Sequence, residues 1–407
     1  MENNNIEEHL TDRDVTSHTA AMWKYNPVPE KPEPYPENLC GSAKEGCFEV
    51  TAAAVRGKKH KHDGSNRDDA FAYDFLDGAV IASAADGAGS KPFSRIGAKA
   101  ACEAAVNFIK ARLAAIKREF PDYSEKLGKA IDSAEFGTVC SEIAGMLRDS
   151  CGEAYTAVET AFEKRKDIPE FEEAIGRKPD IKDFSSTLLT VIIIPVNTEN
   201  GKEFLTAAIQ LGDGMIAAFD ENADFENTLI ILGSADSGSF AGETEFLTSE
   251  QMRNADSLMN RTKIRRGKMT SLMLMTDGVA DDYYPNNNQL LRLMLDLKLN
   301  GIMPADGSEN TENAGEFSGK IPEPVAYQWV NDSDVKYAIQ YAKNIISECG
   351  LTLEQLWKNK DIQKRACLKA FDIVHDRDNA EMLKIWLDNY VERGSFDDRT
   401  LVLINAE

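Results

Sequence analysis

The chain has 407 residues, 42% of them apolar and 28% charged, and a formal net charge of −22. That length holds one large domain or two modest ones, with the apolar share of an ordinary globular protein. The charge argues against binding nucleic acid or an anionic membrane, whose phosphates would repel it.

In chain order, Met1 to Asn5 carries neither the basic nor the apolar part of a secretory leader, so a cytoplasmic protein is expected. The seven cysteines form no CxxC pair and are odd in number, which fits a reducing compartment better than a disulfide framework. Residues 1–45 read as a polar tail. Within it Pro27, Pro29, Pro32, Pro34 and Pro36 forbid a helix and favour extended, polyproline-like chain, most simply a spacer.

Strand patterns begin at Phe48. They cover Phe48 to Val55, Ala70 to Phe75, and Ala79 to Ala85. A helix is predicted from Ser94 to Lys117, with Ile96, Ala100, Ala104, Phe108, Leu113 and Ile116 on roughly one face, and a second from Val139 to Lys164. Strands return at Ser186 to Val196, Phe204 to Leu211, Met215 to Phe219, Thr228 to Leu232 and Ser271 to Met275, and Thr400 to Asn405 closes the chain. The longest apolar run, Thr187 to Val196, is roughly half of what a membrane span needs. Strands, two long helices and strands again imply packed sheets with helices outside, an α/β sandwich.

Between Gly278 and Phe396 strand signals are lacking. Pro304 to Val325 reads as loop. Ser333 or Asp334 can then cap a helix striped by Val335, Ala338, Ile339, Ala342, Ile345 and Ile346, ending near Gly350. Helical pieces follow at Leu353 to Trp357, Asp361 to Val374 and Asn379 to Glu392. The expected division is a tail at 1–45, a body formed by 46–282 and 394–407, and a helical insertion at 283–393. The insertion leaves just after Asp281 and returns just before Asp397, so it is expected over or beside whatever cleft those residues line.

Four acidic motifs stand beside strand-like runs: Arg67-Asp68-Asp69-Ala70-Phe71, Ala85-Asp86-Gly87-Ala88-Gly89, Met275-Thr276-Asp277-Gly278 and Phe396-Asp397-Asp398-Arg399-Thr400. Carboxylates clustered at the rim of a sheet suit hard cations such as Mg²⁺ or Mn²⁺, which prefer oxygen ligands. Glycine after the aspartate lets the backbone turn so that its carbonyl can also face a metal.

Motifs and order together resemble the metal-dependent phosphatases of the protein phosphatase 2C family, particularly its compact bacterial branch. Ser185-Ser186-Thr187-Leu188 is similar to that family's Gly-Ser-Thr strand start, and Leu211-Gly212-Asp213-Gly214 to its Gly-Asp-Ser turn. Thr276 to Asp281 resembles Thr-Asp-Gly-x-x-Asp, Phe396 to Leu401 the closing Asp-Asn-x-Ser/Thr strand, and Gly242 to Phe246 a segment of bacterial members. The resemblance runs from Phe48 to the end, the insertion excepted. It implies a four-layer α-β-β-α sandwich of two mainly antiparallel sheets. It also implies hydrolysis of phosphoserine and phosphothreonine in a phosphoprotein substrate by a water activated between two Mn²⁺ or Mg²⁺ ions, with a third, weaker ion in some members. Bacterial relatives often oppose a Ser/Thr kinase, so one is an expected partner.

Residue by residue, the resemblance implies that Asp86 bridges two metals with the Gly87 carbonyl on one, and that Asp277 and Asp397 bind the other. Asp69, with Asp68 beside it, holds metal waters, and Asp213 and Asp281 match the third-metal positions. Asp398 is expected to be structural, and its change to asparagine mild.

Two positions depart from the family. Ala88 stands where animal members carry a candidate general-acid histidine, and Gly64 or Ser65 where many carry a phosphate-gripping arginine. His60, His62, Arg67, Lys91 and Arg95 are the available replacements, of which His62 is favoured. These departures support a rival reading, a non-catalytic module of the same fold that recognises a phosphoprotein or another partner. Motifs of nucleotide-binding loops, zinc proteases and serine hydrolases are lacking, as is a cysteine followed by a phosphate-cradling loop and arginine.

Overall fold

Alternation along the strands sets the architecture. In the computed structural model, which describes residues 24–233, 245–250, 254–284, 286–303, 340–374, 378–390 and 396–407, the strands form two antiparallel sheets. In chain order they are β1 (Asn38–Glu45), β2 (Phe48–Val55), β3 (Ala70–Leu76), β4 (Ala79–Ala85), β5 (Leu188–Thr198), β6 (Gly201–Leu211), β7 (Met215–Phe219), β8 (Leu229–Gly233), β9 (Thr262–Gly267), β10 (Ser271–Met275) and β11 (Arg399–Ala406). One sheet has the order β1-β2-β11-β10-β7-β8 and the other β3-β4-β5-β6-β9.

The helices are α1 (Lys58–Asp63), α2 (Ser94–Glu119), α3 (Tyr123–Gly128), α4 (Ala134–Glu163), α5 (Pro169–Ile175), α6 (Ala255–Arg261), α7 (Asp277–Tyr283), α8 (Asn287–Leu299), α9 (Tyr341–Cys349), α10 (Leu353–Lys358), α11 (Lys360–Val374) and α12 (Asn379–Asn389). None of the described helices is long and apolar enough to cross a membrane.

Three apolar layers separate four structural ones. Val80, Ala82, Leu189, Leu272, Leu274 and Val402 meet between the sheets. Their neighbours in sequence point the other way. Ile81, Leu188 and Ile192 pack under α2 and α4, and Met273, Met275, Leu401 and Leu403 pack under the helices that follow β10. Strands buried on both faces explain why Leu188 to Ile194 is apolar at every position but Thr190 rather than alternating. Each such side chain, fully removed from water, contributes about 1.5–3 kcal/mol.

Several expectations need correction. Residues 38–45 are not tail but β1, paired along its whole length with β2. As an edge strand with much of its surface exposed, it lacks the apolar alternation that would have revealed it. The proline-rich segment before it is extended but docked. Asn26 N–H donates to the Lys61 carbonyl at 2.7 Å, Tyr35 N–H to Asn66 Oδ1 at 2.9 Å, and the Arg165 guanidinium grips both oxygens of Glu33.

α4 starts at Ala134, five residues before the predicted onset, because Ser133 Oγ caps it by accepting from Phe136 N–H. α8 was not expected. It is buried nearly all round, so its leucines form no single stripe. The helices of the predicted insertion lie on the outer face of the six-stranded sheet, where Leu293, Ile345, Trp386 and Leu387 join the core of Met273 and Leu403. The stripe expected at Val335, Ala338 and Ile339 lies outside the described residues, whereas Ala342 and Ile345 are buried.

Candidate metal centre

Strand register brings the carboxylates together. Ala70 pairs with Ala85, so Asp69 and Asp86, each one residue beyond that pair, sit at one end of the five-stranded sheet. Met275 pairs with both Leu401 and Met215. That pairing puts Asp277, Asp213 and the Asp397-Asp398 pair at one end of the six-stranded sheet. The two ends meet: Thr276 Oγ1 donates to Asp69 Oδ2 at 2.8 Å and accepts from Thr400 N–H at 3.0 Å.

Asp86, Asp213 and Asp277 each bring a carboxylate oxygen within 4.8 Å of the others. Asp281 follows one turn later on α7. Burial first, then the charges of Asp277, Asp69 and Asp213, raise the Asp86 pKa well above the usual carboxylate value. Burial, then Asp213 and Asp69, do the same to Asp277, and burial, then Asp213 and Asp397, raise Asp281. Asp68 and Asp69 are pushed up to about 7 by burial and next by Asp398. The Oδ1 atoms of Asp69 and Asp277 are buried without a hydrogen-bond donor among the described residues. Crowded anions with unmet oxygen acceptors fit hard divalent cations, which would relieve both burdens.

Thr187 holds the Asp86 turn from the neighbouring strand. Its N–H donates to the Asp86 carbonyl at 2.8 Å, and its hydroxyl accepts from Asp86 N–H at 2.8 Å. Gly87 bridges to Ser186 in the same segment. The Gly212-Asp213-Gly214 turn is shaped by Gln210, whose Nε2 donates to the carbonyls of both glycines. Of the Gly242 to Phe246 segment, 242–244 lie outside the described residues; Glu245 pairs with Arg261.

Asp397 and Asp398 diverge. The Asp397 side chain is 41% exposed and that of Asp398 only 2%. Asp398 Oδ1 accepts Gly57 N–H at 2.6 Å and its Oδ2 accepts Asp68 N–H. A Cβ on Gly57 would stand 2.3 Å from the Asp397 carbonyl carbon, and one on Gly278 1.9 Å from the Asp398 carbonyl oxygen, so glycine is required at both for this backbone to close.

His60, not His62, reaches the acidic groups. His60 Nδ1 lies 3.0 Å from Asp398 Oδ2 and its Nε2 3.5 Å from Asp397 Oδ1. Residues two apart on a helix are separated by about 200°, so turning His60 inward turns His62 away. His62 Nδ1 instead accepts Lys24 N–H at 3.1 Å. Burial works to lower the His60 pKa, but its hydrogen bond to Asp398 and the nearby carboxylates prevail and hold it at about 10. His60, Asp68 and Asp398 also lie close enough together to hold an ion. With both Asp398 oxygens accepting backbone N–H groups, the group reads as a buried ion pair instead.

The other replacements are placed as follows. Arg67 donates to the Asp69 and Pro36 carbonyls, and Arg95 to those of Pro32, Glu33 and Pro92. Lys91 is half-buried in the loop after Asp86. Ala88 is buried, its N–H donating to the Ser185 carbonyl at 3.1 Å. Thr276, Thr187 and Gly57 carried no individual role in the sequence. For the two threonines the signal is membership of the Ser-Ser-Thr and Thr-Asp-Gly motifs, and Gly57 lies beside the aspartate pair only in space.

The family model described as protein phosphatase 2C matches residues 56–300. No curated protein matches the chain in sequence. Solved structures similar to it include RsbX in complex with magnesium, at 8% identity and TM-score 0.31, covering 91% of this chain and 100% of that one. The photosystem II phosphatase PBCP matches at 9% identity and TM-score 0.36, covering 88% and 99%. A serine-threonine phosphatase 2C from Toxoplasma gondii matches at 13% identity and TM-score 0.34, covering 92% and 100%.

Proposed function

Because the chain belongs to the protein phosphatase 2C family, we propose that it is a Mn²⁺- or Mg²⁺-dependent phosphatase of phosphoserine and phosphothreonine in phosphoproteins. The observation that carries this reading is the meeting of Asp69, Asp86, Asp213, Asp277 and Asp397 where the ends of the two sheets join. Asp86, the Gly87 carbonyl, Asp277 and Asp397 would hold the catalytic ions, and Asp213 and Asp281 would hold any further one. When bound, these ions supply a water deprotonated near neutral pH and positive charge opposite the phosphoryl oxygens.

The chain's own groups do the rest. Thr276 fixes Asp69 through Oδ2, leaving Oδ1 to orient the attacking water and accept its hydrogen bond. His60, cationic below about pH 10, offsets Asp398 and keeps the Asp397-Asp398 turn in place, while Asp68 stands at the edge of the same group. Ala88 can give no proton, so the leaving oxygen takes its proton from water in the cleft. The expected setting is the cytoplasm, with a Ser/Thr kinase as the opposing activity; the catalytic unit includes β1 and the helices that cover the outer face of the six-stranded sheet.

Ala88 also favours a second reading, a binding module without turnover. One assay separates the two: release of phosphate from an aryl phosphate and from phosphopeptides, with Mn²⁺ and with EDTA. Metal-dependent release supports the phosphatase; metal-dependent phosphopeptide binding without release supports the module.

A further inference from the structure

A cavity of about 430 Å³ opens beside the metal centre, with Asp68 and His60 on its edge and the Gly89-Ser90 loop, which follows Asp86, as part of its lining. We propose that it is a subsite for a second anionic group of the phosphoprotein substrate, an acidic side chain or another phosphate near the one hydrolysed. The inference deepens the phosphatase reading and rests on it for the position of the first phosphate; the chemistry of the ligand is read from the cavity. Its volume suits a peptide side chain and its neighbours rather than one small anion.

The lining carries Lys31, Lys59, Lys91 and Arg95 against Asp63 and Asp68. In a chain of net charge −22 this is a local reversal of sign. Asp68 already lies in the fields of His60 and Arg95, which leaves Lys31, Lys59 and Lys91 with Asp63 in the rest of the lining, while Lys91 also lies in the field of Asp183. Lys31 also touches Glu170 at 2.8 Å and lies in the fields of Glu173 and Glu30, but with the Lys31 and Glu170 side chains 72% and 46% exposed that contact is weak and open to exchange for a substrate anion.

One wall is the docked proline-rich segment, and it is preformed. Arg95 donates to the Pro32 carbonyl at 2.6 Å and to that of Glu33 at 3.2 Å, Arg165 clamps the Glu33 carboxylate, and Tyr35 is tied to Asn66. A wall held without ligand spares the ordering cost of binding. An extended peptide advances about 3.3 Å per residue, so an anion two to four residues from the phosphorylated one lies about 7–13 Å away.

The test compares kcat/KM of the full chain with Mn²⁺ for phosphothreonine peptides carrying Glu, Gln, Lys or phosphoserine three residues from the phosphothreonine, with an aryl phosphate in parallel. The Glu and phosphoserine peptides should be favoured over Gln by about five- to tenfold, and Lys disfavoured. Preference for phosphoserine alone assigns the subsite to a second phosphate; preference for both assigns it to anions generally. A Lys31→Ala/Lys59→Ala double variant should level the peptides to within about twofold and leave aryl phosphate turnover unchanged, and Lys31→Arg/Lys59→Arg should keep the preference. Equal treatment of the peptides by the unaltered chain, or a preference that survives the alanine pair, overturns the subsite. If nothing is hydrolysed, the phosphatase reading fails by itself, and the affinities of the same peptides with Mn²⁺, read by fluorescence anisotropy, decide the subsite on the same criteria.

Discussion

The Thr276 hydroxyl donates to Asp69 Oδ2 at 2.8 Å and so joins the end of one sheet to the start of a strand in the other. The same oxygen accepts Thr400 N–H at 3.0 Å. Thr276→Val keeps the shape and removes both bonds, leaving a buried carboxylate oxygen and a buried amide unpaired. It should lower unfolding free energy by about 1–3 kcal/mol, read by denaturant titration, and reduce turnover, while Thr276→Ser restores most of both. A valine variant as stable and active as the parent would mean that the link does not organise the site.

Asp397 and Asp398 should separate by readout. Asp398 receives two backbone N–H groups and faces His60. Asparagine there would turn an amide donor against another donor, so Asp398→Asn should destabilise the fold by about 2–3 kcal/mol, contrary to the mild effect its place in the motif suggests. Asp397→Asn, at a half-exposed position, should leave the melting temperature of the metal-free protein within about 1 °C and abolish metal-dependent turnover. The reverse pattern would mean that the two have exchanged roles.

Without metal, stability should fall as pH rises. Asp68 and Asp69 are raised from 3.8 to about 7, and Asp86, Asp277 and Asp281 are raised as well, burial being the first cause in each. A carboxyl raised on folding adds stability below its unfolded value and loses it as pH climbs through the folded one. Thermal melts in EDTA should therefore decline from about pH 4 through pH 7. The His60 contribution is lost from 6.5 to about 10. Mn²⁺ should offset the decline at neutral pH, because it binds the ionised carboxylates. Chelated protein whose melting temperature rises between pH 4 and 7 would contradict this.

The helices after β10 should not be dispensable. Were they only a cover over or beside the cleft, where Tyr390 does donate to the Gly278 carbonyl at 3.2 Å, they could be replaced by a short linker and spare the body. Lying on the outer face of the six-stranded sheet, they cover Met273, Met275, Leu401 and Leu403. Excision of 283–393 should therefore yield protein without a cooperative thermal transition. A soluble, cooperatively melting deletion variant would show that the sheet does not depend on them.

Much of this was legible because both signals are local. Apolar runs that end before Asp-Gly or begin after Asp-Asp mark strands and place Asp69, Asp86, Asp277 and Asp397 at their ends before any register is known. What was not legible depends on three-dimensional context. β1 shows little alternation because it is an edge, and α8 shows no stripe because it is buried all round. In Lys58-Lys59-His60-Lys61-His62 the sequence offers two histidines, and only the helix phase of α1 turns His60 towards Asp398. The clamp on Asp398 comes from Gly57 and Asp68, more than three hundred residues earlier.

If Asp86 anchors a divalent-metal centre that hydrolyses phosphoester bonds, phosphate release from a phosphothreonine peptide reads it most directly. The unaltered chain should release phosphate with Mn²⁺ and stop in EDTA, and Asp86→Asn should lose at least about 100-fold in kcat/KM, roughly 2.7 kcal/mol of transition-state stabilisation, while remaining folded. Release undiminished by excess chelator, or an Asp86→Asn variant as active as its parent, would mean that no metal centre at Asp86 carries the hydrolysis.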